Sequence, residues 1–225
     1  RTSCTERLPI NSISSRWINP PYGGFFIMDI SNFKNTRLSG LTSPFEPVIY
    51  DCPYQDQIAD PLLQWIYDRA NVRVNGGALK TKFYTGKDRD TPEHTILIDW
   101  IESLVVEAVQ GMSRWTNSAY NESPDSSKKF KVADYWGMYY DEGGGAVLHN
   151  HWPYPISFGY YLKAPEGSSP LVIDKQSIQV TEGRLIIFGG HQSHEVPDSE
   201  VSDRCMIAGN VVYLGVDSYD SMETK

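Results

Sequence analysis

The spacing of apolar residues along this chain changes near residue 130. Before it, apolar positions recur at helical intervals. Asp60-Pro61 reads as an N-cap with proline at the first helical position, followed by Leu62, Leu63, Ile66 and Tyr67 at helical spacing. Thr91-Pro92-Glu93 repeats the start signal, and behind it Leu97, Ile101, Leu104, Val105, Ala108 and Met112 hold one apolar stripe over about five turns. That stripe predicts a helix whose work is core support. Beyond 130 the pattern becomes short apolar or alternating runs at 132–140, 146–151, 156–162, 171–173, 184–188 and 205–214, each bounded by Gly, Pro, Asp or Ser. Strands punctuated in this way predict an antiparallel sandwich or barrel.

The first fifty residues, with "NPPYGG" and "LTSPFEP", predict irregular chain and one short strand at 25–30. "NESPDSSKKFK" marks the change of character, and no internal repeat is present. Helices of this kind need a sheet to cover. The expectation is therefore one domain over 1–225, with an irregular part and supporting helices over 1–130 and a jelly-roll core over 131–216.

Composition narrows the setting. The chain has 225 residues, 40% hydrophobic and 21% charged, which is ordinary for a globular protein. A net charge of -8 argues against broad nucleic-acid binding and against anionic membrane surfaces. No apolar run approaches the roughly 20 residues of a membrane span. Cys4, Cys52 and Cys205 form no metal-type cluster, and an odd count suggests no disulfide scaffold, so a reducing cytoplasm is expected.

Histidine carries the candidate chemistry. The chain holds only five, and two of them fall in "AVLHNHWPYPISFGYYL". In an extended strand His149 and His151 point the same way, and neutral imidazoles so placed can converge on one transition metal. Two polar residues on a wet strand face satisfy the same spacing. After the strand "RLIIF" come His191 and His194, which need not share a face, so one of the two is expected to join the first pair. Ten residues beyond His194, Arg204 opens the strand "RCMIAGNVVYL". Arg204 is either a surface residue paired with Asp203 or Glu200, or a buried one whose cost is offset only where its fork of donors meets a carboxylate. His94, in the first turn of a helix, is expected on the surface. Trp152 and Tyr154 either line a mouth or pack as loop aromatics.

The order of two histidines, a distal histidine and an arginine resembles the iron(II)- and 2-oxoglutarate-dependent oxygenases, nearest to the prolyl-hydroxylase-like branch. The resemblance covers roughly 136–214. In that family an H-x-D/E … H set holds iron, and a basic residue after the distal histidine binds the far carboxylate of 2-oxoglutarate. The resemblance implies His149 and His194 as iron ligands and Arg204 as the carboxylate partner. It also implies Tyr161 of "SFGYYL" and Tyr140 of "WGMYYDEGG" as walls of the cosubstrate pocket. "GRLIIF … HEV" matches the approach to the distal ligand, and R-x-x-I-x-x-N (Arg204, Ile207, Asn210) matches the exit.

His151 stands where the common motif has a carboxylate. A little-characterised bacterial and phage branch shows the same H-x-H. Both a three-histidine site and a two-histidine site with water in the third place stay open, and on the first His151→Asp would restore the common triad and tighten metal binding. The implied fold is mainly β with N-terminal helices, a double-stranded β-helix. The implied function is a dioxygenase using Fe(II), 2-oxoglutarate and O2 to hydroxylate a peptide, amino acid or other small substrate, with release of succinate and CO2. A cupin-like three-histidine dioxygenase without 2-oxoglutarate and a non-enzymatic jelly-roll binding module are the alternatives. The expected partners are the substrate and O2, with no membrane and no broad nucleic-acid binding, while homodimerisation is left open.

Overall fold

A computed structural model describes residues 46–112 and 130–214. The elements before residue 113 are β1 (Val48–Asp51), α1 (Gln55–Arg69), β2 (Val72–Arg73), β3 (Leu79–Lys80), β4 (Tyr84–Thr85) and α2 (Pro92–Met112). Then follow β5 (Phe130–Tyr140), β6 (Ala146–His149), β7 (Ile156–Lys163), β8 (Leu171–Ile173), β9 (Gln176–Ile178), β10 (Arg184–Gly189), β11 (His194–Val196) and β12 (Arg204–Tyr213). They build two sheets whose paired strands run antiparallel. The larger runs β1-β10-β7-β12-β5-β3-β2 with β4 also on β5, and the smaller runs β6-β11-β8-β9. This is the jelly-roll sandwich that the strand pattern predicts.

The larger sheet is buried on both faces, which is why β7 and β12 read as nearly continuous apolar runs. One face, with Tyr135, Tyr160, Leu185, Cys205 and Ile207, packs on Ile58, Leu62, Ile66, Leu97 and Ile101 of the two helices. The other face carries Trp136, Met138, Tyr140, Tyr161, Phe188 and Met206 toward Leu171, Ile173 and Val196 of the smaller sheet. Alternation along each strand sorts the side chains between the two cores. The helices brace the sheet from behind, and the space between the sheets is left for the site. Gly76 has φ +100, and a Cβ there would lie 2.7 Å from the Gly145 carbonyl oxygen.

Pro92 begins α2 as the sequence predicts. Pro61 does not begin α1; it lies inside a helix that starts at Gln55. The missing N–H of a proline removes one helical hydrogen bond. Burial of Ile58 with Leu62, Trp65 and Ile66 holds the turn before it. β1, unexpected from sequence, pairs with β10 from Val48↔Ile187 to Asp51↔Arg184. His94 is not on the surface: it is fully buried, its ring 4.6 Å from that of Trp65 and 5.5 Å from that of Tyr135. It precedes Leu97, Ile98 and Ile101 on the apolar face of α2, so helical spacing overrides its first-turn position. The strand expected at 25–30 and most of the polar segment before β5 lie outside the described residues.

Candidate metal and cosubstrate site

β6 ends on His149 and β11 begins on His194, and the two are register partners across the smaller sheet. Their rings lie 4.3 Å apart. His151 is past the end of β6, so the expected strand through 151 stops two residues early. Pro153 has no N–H to continue a ladder. Instead the His151 N–H donates to Gly190 O (2.7 Å) and the Tyr154 N–H donates back to His151 O (2.9 Å), closing a turn. The imidazole still arrives, 5.3 Å from the His149 ring and 4.8 Å from the His194 ring. The three histidines each offer one nitrogen within 4.8 Å of the others, and no carboxylate among the described residues joins them. His191 lies exposed on the loop between β10 and β11, outside the cluster.

Hydrogen bonds behind each ring set its tautomer. His149 Nδ1 lies 2.7 Å from Val147 O and His194 Nδ1 lies 3.1 Å from Gln192 O. A carbonyl only accepts, so both Nδ1 atoms carry the proton and Nε2 keeps a lone pair. His151 Nδ1 lies 2.7 Å from Asn210 Oδ1, and Ser157 Oγ donates to the same oxygen at 2.8 Å. Asn210 cannot turn round, because its Nδ2 donates to Asp134 Oδ1 at 2.7 Å. Tyr154 OH donates to the other oxygen of Asp134 at 2.6 Å. Burial pushes His151 down to about 4 and His194 to about 3, keeping both imidazoles neutral at ordinary pH. Convergent neutral imidazoles, each held from behind by an acceptor, are a donor set that fits a divalent transition metal.

Arg204 defines the other half. It is 0% exposed at the start of β12, opposite Tyr140 in β5. Its guanidinium carbon lies 4.3 Å from the Tyr140 ring centroid and 5.2 Å from that of Tyr161. None of its three nitrogens has a hydrogen-bond partner, and neither does the Tyr161 hydroxyl beside it. Burial pushes Tyr161 up to about 12 and Tyr140 upward as well, with the Arg204 charge opposing, so both phenols stay protonated. A buried guanidinium with unmet donors is costly unless an anion completes it. A bidentate carboxylate fits that fork. Gly159 keeps space here: a Cβ would meet Met206 Cε at 2.7 Å and the Tyr161 hydroxyl at 3.6 Å.

A cavity of about 580 Å³ lies between the sheets, lined by the three histidines, Asn210, Tyr140 and Met206 among others. Tyr140 and Met206 form its wall at the Arg204 end. Of the candidate residues, His149, His151, His194 and Tyr140 line this cavity, while Arg204 and Tyr161 lie fully buried beside Tyr140 and do not reach its surface. Asp134 and Ser157 were not among the candidates. Asp134 was findable as an acidic residue in step with Trp136, Met138 and Tyr140 on an otherwise buried strand face.

Fold and site together define a double-stranded β-helix with a histidine cluster and a buried arginine between its sheets. No family model matches the sequence, and no curated protein matches it. Among solved structures, the chain is similar to a prolyl-4-hydroxylase from Pseudomonas putida, with TM-score 0.54 and 14% identity over 75% of this chain and 93% of that one. It is similar also to the viral collagen prolyl hydroxylase of Paramecium Bursaria Chlorella virus-1, solved as a 2-oxoglutarate complex, with TM-score 0.53 and 15% identity over 75% of this chain and 96% of that one. A third is SnoK, a non-haem α-ketoglutarate-dependent carbocyclase from nogalamycin biosynthesis, with TM-score 0.52 and 10% identity over 81% of this chain and 87% of that one. The chain has the fold these three enzymes share.

Proposed function

We propose that this chain is an Fe(II)- and 2-oxoglutarate-dependent dioxygenase that hydroxylates a peptide, an amino acid or another small substrate and releases succinate and CO2. The observation that carries this reading is Arg204, fully buried with all three guanidinium nitrogens unpartnered, in one sandwich with three convergent imidazoles. His149, His151 and His194 would hold the metal, and Arg204 with the Tyr161 hydroxyl would hold the far carboxylate of 2-oxoglutarate. Iron and cosubstrate, when bound, supply the activation of O2 and the oxidising equivalents.

The residues of the chain do the rest. Val147 O, Gln192 O and Asn210 Oδ1 keep the protons on Nδ1, so no imidazole has to lose one before it ligates. Tyr140 and Met206 screen Arg204 from water, which strengthens its hold on an anion. Three imidazoles bring no charge to the metal, so the cosubstrate dianion alone neutralises it. Metal and 2-oxoglutarate therefore strengthen each other's binding by the same factor.

The test is an anaerobic Fe(II) titration with and without 2-oxoglutarate. A weak visible charge-transfer band that appears only with both supports the reading. Equal metal affinity in the two titrations, with no band, rejects it. A carboxylate-free cluster by itself favours a three-histidine dioxygenase that ignores 2-oxoglutarate, and that second outcome would select it. The unmet donors of Arg204 argue against that alternative.

A further inference from the structure

We infer that the cavity takes, as its second ligand, a small apolar molecule bearing a carboxylate, with the acid held by Lys80 and the apolar body lying along Phe83 and Trp152. Calling this ligand the substrate rests on the oxygenase reading; its binding does not.

Lys80 ends β3 opposite Met138 of β5. Met138 belongs to the face between the sheets, so its cross-strand neighbour projects to that same face. A lysine there sits where the pattern calls for an apolar residue. A charge pointing inward sometimes guards a sheet edge. That reading fails here, because β2 lies outside β3 and is the edge strand. Lys80 Nζ lies 3.8 Å from the Phe83 ring centroid, and Phe83 meets Trp136 edge-on at 4.9 Å.

No carboxylate among the described residues forms an ion pair with Lys80. Asp134 is the one acidic side chain that lines the cavity, and its two oxygens already accept from Asn210 and Tyr154. Burial pushes the Lys80 ammonium below its ordinary value, in keeping with a cation drawn out of water and not repaid by an anion. In a chain of net charge -8, a cation left without an acid inside a cavity is a recognition element.

The apolar half of the ligand follows from the mouth. Trp152 is 75% exposed and Phe83 56%, and both line this cavity together with the exposed Val147. Large apolar side chains gathered around one opening mark a surface that a ligand covers. A cavity of about 580 Å³ suits a small molecule rather than a folded partner. The histidine cluster lines the same cavity, so such a body would present its C–H bonds toward the metal position.

The experiment is calorimetric titration of the metal-free protein with 3-phenylpropionate and with its neutral isostere 3-phenylpropanamide. The acid should bind roughly tenfold more tightly, as one charge-assisted contact provides. Lys80→Met should remove that advantage and leave amide binding unchanged, and Lys80→Gln serves if the Met variant unfolds early. Phe83→Ala should weaken both probes. Arg204→Ala should keep both and lose 2-oxoglutarate, which separates this inference from the oxygenase reading. Equal binding of acid and amide, no binding of the acid, or full acid affinity in the Lys80 variants overturns it. Loss of acid binding in Arg204→Ala also overturns it, since the probe would then occupy the cosubstrate anchor.

Discussion

Arg204 and Asn210 stand on the same face of β12, at the two ends of one ladder of cross-strand pairs. Arg204 faces Tyr140, Met206 faces Met138, Ala208 faces Trp136 and Asn210 faces Asp134, all in the β5–β12 pairing. The proposed carboxylate anchor and the residue that holds His151 are thus set by the register of a single strand. A slip of one residue would turn both away from the cavity. The bulge in this pairing falls just beyond Asn210 and leaves the ladder regular.

Metal binding should depend on the pair that faces across the smaller sheet. Reconstituted protein is expected to hold about one divalent ion per chain, following the one three-nitrogen cluster among the described residues. His149→Ala with His194→Ala should bring this near zero while the thermal transition persists, because the rings bridge loop and strand ends rather than fill the helix-backed core. Elemental analysis after gel filtration decides it. Full metal retention in the double variant would sink the assignment.

Arg204 should show opposite signs in binding and in stability. Arg204→Met removes one partner of a bidentate contact and should cost about 2–5 kcal/mol of 2-oxoglutarate binding. It also removes a buried, unpartnered guanidinium, so the ligand-free protein should unfold at the same temperature or higher, by about 2–4 °C for each kcal/mol gained. Titration calorimetry and scanning calorimetry on one sample read both effects. Unchanged cosubstrate affinity would refute the anchor.

Asn210 is a positioning residue for His151. Asn210→Ala should weaken metal binding by about 10–100-fold, as loss of a ligand's hydrogen-bond partner does elsewhere. The unfolding temperature should fall too, because Ser157 and Asp134 lose a buried partner, so the readout of positioning is the Co(II) absorption spectrum, which should change. The same hydrogen bonds bear on the expectation that His151→Asp tightens metal binding. Asp134 holds the Asn210 amide so that Oδ1 faces position 151, and a carboxylate there would meet an acceptor. His151→Asp alone should therefore not tighten metal binding. Paired with Asp134→Asn, which frees the amide to turn, it should. Metal titration of the three variants distinguishes the cases.

His94 should make the protein acid-sensitive apart from the metal. Burial first of all lowers its folded pKa to about 4, against nearby Asp90 and Glu93. The unfolded chain then takes up the proton first as pH falls, so stability is full above about 6.5, declines below it and is lost by about 4. The contribution is at most about 3 kcal/mol. His94→Phe, which keeps a ring against Trp65, should lessen the slope of the unfolding temperature between those pH values, with buried His151 and His194 supplying the remainder. An unaltered slope would show that other groups set it.

How much was legible in the sequence differs by kind of information. Periods of two and of 3.6 residues, with Gly and Pro punctuation, were enough to place α2 and β5, β7, β8, β10 and β12, because alternation and helical spacing are local consequences of backbone geometry. Histidine scarcity drew attention to the candidate ligands, and the resemblance to the oxygenases gave Arg204 its expected role as carboxylate partner. What tertiary structure decided were the relations between segments far apart in the chain. β1 joined the sheet because β10 offered an edge, α1 ran through Pro61 because Ile58 had a core to enter, and His94 sank because Trp65 and Tyr135 left it a slot. The same holds for the site. That His149 faces His194, that Asp134 steadies Asn210 behind His151, and that Lys80 points between the sheets all follow from strand register, which no local pattern encodes.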